Sequence, residues 1–258
     1  MAAAAVTRII AIANQKGGVG KTTTAINLGA AVAAYELPTL LVDCDPQGNA
    51  SRGLGVTADP PTLYQVLMGE APAHEAVRPS GFPHLDLLPA DRELVGAEVE
   101  LVGEEQWHQR LGRALESVVG GYRYVFLDCP PSLGHLTVSA LCAASQLLVP
   151  IQCEYFALEG VRELMATLRR VQSGLNPDLE IAGVLLTMFD ERTNLSRDVV
   201  QEIRSHFQTA VYDTVVPRNI RLAEAPSYGL AALQYDIKSK GAQAYLALAR
   251  EVLEREAA

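Results

Sequence analysis

A chain of 258 residues with 49% hydrophobic content can bury one large α/β core, or two small ones at most. No apolar stretch reaches the ~18 residues that a membrane span needs. Residues 1–7 carry no charged side chain ahead of Arg8, so they read as a frayed lead-in rather than a signal peptide. The formal net charge of −9, taken alone, argues against nucleic acid as a partner.

The apolar run Arg8-Ile9-Ile10-Ala11-Ile12-Ala13 predicts a first strand. A glycine-rich stretch follows, and Thr24 to Val32 has apolar positions at helical spacing. Thr39 to Asp43 reads as the second strand. Pro60-Pro61 breaks the chain, and Thr62 caps a short helix running to Met68. Residues 69–84 hold Gly69, Pro72, Pro79, Gly81 and Pro83 and read mostly as loop. Leu85 to Leu88 is a strand, and Asp91 to Val119 is helical with an interruption near Gly103. Tyr124 to Asp128 and Leu147 to Pro150 are strands flanking a helix that contains Leu136 to Ala144. Tyr155 to Ser173 is helical, Glu180 to Leu186 a strand, Leu195 to Phe207 a helix, Val211 to Val216 extended, and Gly241 to Glu254 a helix. Continuous apolar strands separated by amphipathic helices indicate an α/β fold, a mainly parallel sheet with helices on both faces. No repeat, low-complexity tract or linker divides it, so residues 1–258 read as a single domain. Cys44, Cys129, Cys142 and Cys153 show no C-x-x-C spacing and read as reduced, mostly buried thiols of a cytosolic protein. The five histidines form no metal-ligand pattern.

The chemistry concentrates in Gln15-Lys16-Gly17-Gly18-Val19-Gly20-Lys21-Thr22-Thr23, between a strand and a helix. Residues poor in side chains let backbone N–H groups wrap a phosphate, and the helix start adds its positive dipole end. Lys21 can reach β- and γ-phosphates, and the Thr22 hydroxyl can ligate Mg²⁺. The usual phosphate-loop pattern has a glycine where this chain has Gln15, and a second lysine, Lys16, stands at the mouth of the loop. Ligands of such a sheet sit beyond the carboxyl ends of the strands. Asp43-Cys44-Asp45-Pro46-Gln47-Gly48-Asn49 follows the second strand there. Asp45 could orient or deprotonate an attacking water, and Asn49 could bond phosphate or a neighbouring loop. The same composition also suits a strand-terminating turn. Asp128 ends another apolar strand, where a carboxylate suits Mg²⁺ through water. The sharp turn at Pro217-Arg218-Asn219 carries an amide that can read an adenine edge, with Thr187 and Met188 as weaker candidates for the same pocket.

Lys16-Gly17-Gly18-Val19-Gly20-Lys21-Thr22-Thr23 resembles the deviant Walker A loop of the ParA/MinD family of ATPases, and the matches extend from Ile10 to Asp236, most similar to the chromosomal ParA (Soj) group. The resemblance implies a deviant P-loop NTPase fold with ATP and Mg²⁺ as cofactors. It implies that Lys16 reaches phosphates bound by a second copy, giving an ATP-dependent homodimer. Leu41-Val42-Asp43-Cys44-Asp45-Pro46 resembles the family's second signature, which implies that Asp45 is needed for hydrolysis. Pro130-Pro131-Ser132-Leu133-Gly134 is similar to its γ-phosphate-sensing switch, and Pro217 and Asn219 match its base-binding positions.

The same resemblance changes the reading of charge. Residues 185–240 hold seven Lys/Arg and seven Asp/Glu, while the remainder holds 14 basic and 23 acidic residues. From charge alone a solvated surface is the better reading of that neutral segment. In the Soj group, arginines bind double-stranded DNA non-specifically once ATP has dimerised the protein. That implies Arg192 and Arg218 as DNA contacts, with Arg221 and Lys238 as further candidates. It also implies slow hydrolysis accelerated by a ParB-type partner, and a nucleoid-associated place in the cytoplasm. A MinD-like membrane switch is the alternative, but the chain ends in Arg250-Glu251-Val252-Leu253-Glu254-Arg255-Glu256, acidic on balance and a poor membrane anchor.

Overall fold

The computed structural model describes residues 6–155 and 157–257. Strands β1 (Arg8–Ile12), β2 (Thr39–Asp43), β3 (Arg78–Phe82), β4 (Leu85–Leu88), β5 (Tyr124–Asp128), β6 (Gln146–Gln152), β7 (Glu180–Phe189) and β8 (Val211–Pro217) join in one sheet. Its order is β3-β4-β2-β5-β1-β6-β7-β8. All neighbours run parallel except β3 against β4.

Every residue of β2 and β5 is buried, as expected of apolar runs covered on both faces. The two-residue period of the strand sorts their side chains into two cores. Val125 and Leu127 join Leu94, Leu111, Leu115 and Leu136 on one side. Tyr124 and Phe126 join Ile26, Leu28, Tyr245 and Leu248 on the other. The second core is covered by helix α1 (Lys21–Ala33) and by the C-terminal helix Lys240–Ala257, which touch each other. Helices Leu94–Glu100, Arg110–Val119 and His135–Ala143 cover the first. The cysteines are free thiols, three of them buried, and burial pushes Cys142 up to about 11 and Cys153 to about 12.

The stretch read as loop over 69–84 instead contains the helix Ala73–Ala76 and strand β3. Pro79 and Gly81 hide that strand in the sequence, but an antiparallel edge strand tolerates proline because one side of it has no ladder to feed. The interruption expected near Gly103 is present. Gly103 has φ +93°, and the segment resolves into Leu94–Glu100, a turn of 3-10 helix at Trp107–Gln109, and Arg110–Val119. Strand β7 runs on to Phe189, past the expected end at Leu186, and so carries Thr187 and Met188 on a strand. Of the expected lead-in 1–7, residues 1–5 lie outside the described residues. The Thr7 hydroxyl is within hydrogen-bonding distance of the carbonyls of Val119 and Tyr122, at 3.0 and 2.9 Å.

Candidate functional site

Strand β1 lies between β5 and β6, and the chain leaves its carboxyl end into the glycine-rich loop. Asn14 fixes the entry. It is 3% exposed, its amide donates to the Pro150 carbonyl at 2.7 Å, and its Oδ1 accepts from Lys16 N at 3.0 Å. Gly18 (φ +73°) and Gly20 (φ +90°) adopt the left-handed conformation that favours glycine. Apart from their chain neighbours, no atom lies within 4 Å of where a Cβ would stand on Gly17 or Gly18, so both positions face open space. Val19 is buried beneath, its carbonyl accepting from Thr187 Oγ1 at 2.8 Å. Helix α1 begins at Lys21 with no side-chain cap, which leaves its first N–H groups facing a ligand position.

Lys21 is 7% exposed and donates from Nζ to the Lys16 carbonyl at 3.2 Å. Burial pulls its pKa below the ordinary lysine value, while Asp128, Cys129 and Asp45 push it back up. A desolvated ammonium with a single carbonyl acceptor has donors to offer a polyphosphate. Gly17, Gly18, Gly20, Lys21, Thr22, Thr23, Asp45, Asn49, Pro131 and Met188 line one cleft of about 340 Å³. Through Gly20, Thr23 and Met188 it runs into a second hollow of about 220 Å³, lined also by Thr187, Pro217, Arg218, Asn219 and Tyr245. The expected phosphate loop and water-orienting carboxylate thus line the first hollow and the base-reading turn the second, and the two hollows share Gly20, Thr23 and Met188. Asn219 Oδ1 accepts from Arg221 N at 3.0 Å and caps the helix Ile220–Glu224, which leaves the amide N–H₂ outside that bond.

Three carboxylates stand at or just past the ends of β2 and β5, and of them only Asp45 lines the cleft. Asp43 and Asp128 are register partners on β2 and β5, both fully buried. Asp43 accepts from Ser51 N at 2.9 Å, Ser51 Oγ at 2.7 Å and Asp45 N at 3.2 Å. Burial nevertheless pushes its pKa up to about 6. Asp128 differs: neither of its oxygens has a hydrogen-bond partner of full geometry. Burial and then Asp43 drive its pKa well above the usual carboxylate range, against the pull of the Thr22 hydroxyl and Lys21. An unpartnered, fully buried carboxylate beside a threonine hydroxyl fits a hard divalent cation. Among the described residues no cluster of three or more His, Cys, Asp or Glu could cage a metal. The fit is to an ion such as Mg²⁺ that keeps waters and phosphate oxygens in its shell.

Lys16 is not among the residues lining this cleft. Its Nζ stands 3.9 Å from Glu154 Oε2, just past the end of β6. Glu154 Oε1 also accepts from Gln152 Nε2 at 2.6 Å and faces Arg218 Nη2 at 3.5 Å. Sequence reasoning missed Glu154 and Asn14, because their roles exist only once β1 and β6 are neighbours. Arg192 and Arg218 line one shallow hollow of about 300 Å³ with Asp190, Glu191 and Lys240. Arg192 is bound to Asp190 through two bonds of 2.8 and 2.7 Å, which hold the Asp190 carboxyl well below the usual range. Arg221 stands apart from that hollow, paired with Glu224 at 2.7 Å and Asp236 at 3.3 Å. Lys238 is likewise not among its lining residues, whereas Lys240, not singled out from the sequence, is.

Fold and groove together define an α/β P-loop protein built to hold a nucleoside polyphosphate. Residues 7–181 match a family model described as an AAA domain. The chain is 56% identical over 253 residues to the chromosome partitioning protein ParA of Caulobacter vibrioides, covering 96% of this chain and 95% of that one. It is 52% identical over 247 residues to the sporulation initiation inhibitor protein Soj of Bacillus subtilis, covering 95% and 98%. Among solved structures, a cobyrinic acid a,c-diamide synthase of Mycobacterium smegmatis with bound ADP and magnesium superposes with TM-score 0.87 at 38% identity, covering 98% and 96%. The septum site-determining protein MinD of Pyrococcus horikoshii, complexed with Mg-ADP, gives TM-score 0.78 at 28% identity, covering 96% of each chain. The chain belongs to the ParA/MinD family, within its ParA/Soj group of chromosome-partitioning ATPases.

Proposed function

We propose that this protein is an ATP-driven switch for chromosome partitioning, in which two copies sandwich nucleotide and the pair binds DNA without sequence preference. The observation that supports the sandwich is the contrast between the two lysines. Lys21 lies inside the phosphate cleft, whereas Lys16 is held at its rim by Glu154, outside its own cleft. A polyphosphate on a second copy gives the Lys16 ammonium a stronger acceptor than an exposed carboxylate at 3.9 Å. ATP therefore gates pairing.

Within each copy the loop N–H groups and Lys21 hold the phosphates, and Asn219 and Pro217 receive the base. Thr22 and, through water, Asp128 would hold Mg²⁺. When bound, that ion neutralises charge on the transferring phosphoryl group. Asp45 orients the attacking water at the cleft wall. Pairing brings Arg192 and Arg218 of both copies onto one face, and doubling the phosphate contacts raises a weak affinity to a useful one. Hydrolysis, accelerated by a ParB-type partner, dissolves the pair and releases DNA. A MinD-like membrane role is the weaker reading. The C-terminal helix buries Tyr245, Leu248 and Val252 in the core, and its Arg250 and Arg255 pair with Glu254 and Glu251. No helix among the described residues is long and apolar enough to cross a membrane.

The test is a solution mass with a slowly hydrolysed ATP analogue and Mg²⁺. The wild type is expected to double its mass, and Lys16→Ala to bind the analogue yet remain single. A wild type that stays single, or a Lys16→Ala variant that pairs normally, contradicts the sandwich.

A further inference from the structure

The turn that carries Asp45 is clamped from behind by groups with no part in the scheme above. Asp43, at the end of β2, accepts from Asp45 N at 3.2 Å through Oδ1. Its Oδ2 accepts from Ser51 N at 2.9 Å and Ser51 Oγ at 2.7 Å. The Ser51 oxygen accepts in turn from Ala90 N at 3.1 Å, just past the end of β4. The direction of this relay is therefore fixed. Ala90 N–H donates to the Ser51 oxygen, and the Ser51 proton is committed to Asp43. All three groups are buried: Asp43 is 0%, Ser51 1% and Ala90 1% exposed.

The relay leaves the turn little room. Gly48 has φ +60°, and a Cβ there would stand 2.7 Å from the Ala90 carbonyl. Inside the turn, Asp45 Oδ1 accepts from Gln47 N at 2.9 Å and the Asp45 carbonyl from Gly48 N at 2.8 Å. One end of the Asp45–Ser51 segment and the other thus hang on the same carboxylate, and Ala90, just past β4, fixes the serine. Asp45 itself lines the phosphate cleft, which neither Ser51 nor Asp43 does.

We propose that Ser51, acting through Asp43, is a positioning residue that sets the Asp45 carboxylate against the attacking water. The inference rests on the hydrolytic role of Asp45 argued above. Its signature is a split between turnover and binding. A serine that merely held the fold together would disturb nucleotide binding and hydrolysis alike. A serine that aims Asp45 changes the chemical step alone, because misplacing a reacting group by a fraction of an ångström is enough to slow it.

The experiment compares steady-state ATP hydrolysis by the full-length wild type, Ser51→Ala, Asp45→Ala and the double variant, with ATP affinity measured on each. Ser51→Ala is expected to lower kcat about tenfold or more, with KM and ATP-dependent pairing unchanged. The double variant is expected to turn over no more slowly than Asp45→Ala alone, since a residue acting through Asp45 has nothing left to position. If Ser51→Ala does not fold, Ser51→Cys fills the site with a somewhat larger atom and a weak donor and carries the same expectations. A wild-type kcat in the serine variant, a loss shared equally by KM, or a further loss in the double variant overturns the relay. Normal hydrolysis by Asp45→Ala overturns the role of Asp45 itself, a result distinct from the other three.

Discussion

In the phosphate cleft the decisive groups are held by backbone and burial. Lys21 is 7% exposed, Asp45 6%, and the loop around them is pinned by Asn14 and Thr187. On the arginine-bearing face the decisive groups are long, solvated and paired within the chain. The Arg192 side chain is 81% exposed and locked to Asp190, and Arg218 leans on Glu154. The two regions share the carboxyl edge of one sheet, and the hollow next to the phosphate cleft shares Pro217 and Arg218 with the arginine-bearing face. The cleft is preorganised, so a ligand meets donors already in position. To bind DNA as proposed, the face would exchange a carboxylate for a DNA phosphate at each arginine, and the net gain of such an exchange in high dielectric is small. In the proposed switch a single copy is expected to bind nucleotide well and DNA poorly, and that imbalance is what would let nucleotide control DNA.

The largest effect that sharpens this contrast belongs to Asp45. Asp45→Ala is expected to lower ATP turnover about 100-fold or more and to accumulate the ATP-bound pair, read by steady-state hydrolysis and solution mass. Unchanged turnover would remove Asp45 from the chemistry. Lys21→Ala is expected to weaken ATP about 10- to 100-fold and to abolish nucleotide-dependent pairing in light scattering, because the lost contacts are desolvated ones. On the face the expected effects are smaller and depend on salt. Arg218→Glu should lose DNA while keeping hydrolysis. Asp190→Asn, which frees Arg192, should instead bind DNA a few-fold more tightly, and its slope of log affinity against log salt should steepen by up to about 0.9 for each phosphate gained. If Asp190→Asn weakens DNA binding, the in-chain pairing is support for the arginine rather than competition.

The smallest effect is one of pH. Burial pushes the Asp43 carboxyl from an ordinary 3.8 up to about 6 in the folded chain. Between roughly pH 4 and 6 the folded state thus holds a proton that the unfolded state has released. Stability from this group is present below that window and lost as pH rises through it. Asp43→Asn carries no such proton, so its denaturation midpoint should fall less across the same window. Some slope should remain, since Asp128 is shifted in the same direction.

The contrast also explains what could be read in advance. Residues 15–23 are contiguous, and their glycines and lysines announce a phosphate loop without knowledge of the fold. The parallel sheet was legible in unbroken runs such as Leu40-Leu41-Val42 and Val125-Phe126-Leu127. Strand β3 was not, because Pro79 and Gly81 are breakers everywhere but at an edge. Glu154, Asn14 and the Ser51 relay were invisible for another reason. Each acts across a gap of many residues, from Asn14 to Pro150 or from Ser51 to Ala90, that only the strand order closes. Arg192 and Arg218 could be listed as bases, but their in-chain partners Asp190 and Glu154 decide how much of that charge is free.

Binding of non-specific duplex DNA, measured at one salt concentration without nucleotide, with ADP·Mg²⁺ and with ATP·Mg²⁺, with mass recorded on the same samples, tests the account most directly. Retention confined to the ATP sample, and confined there to the species of doubled mass, is the predicted result. DNA bound equally by the single species in all three samples, or ignored by a doubled species at low salt, would contradict it.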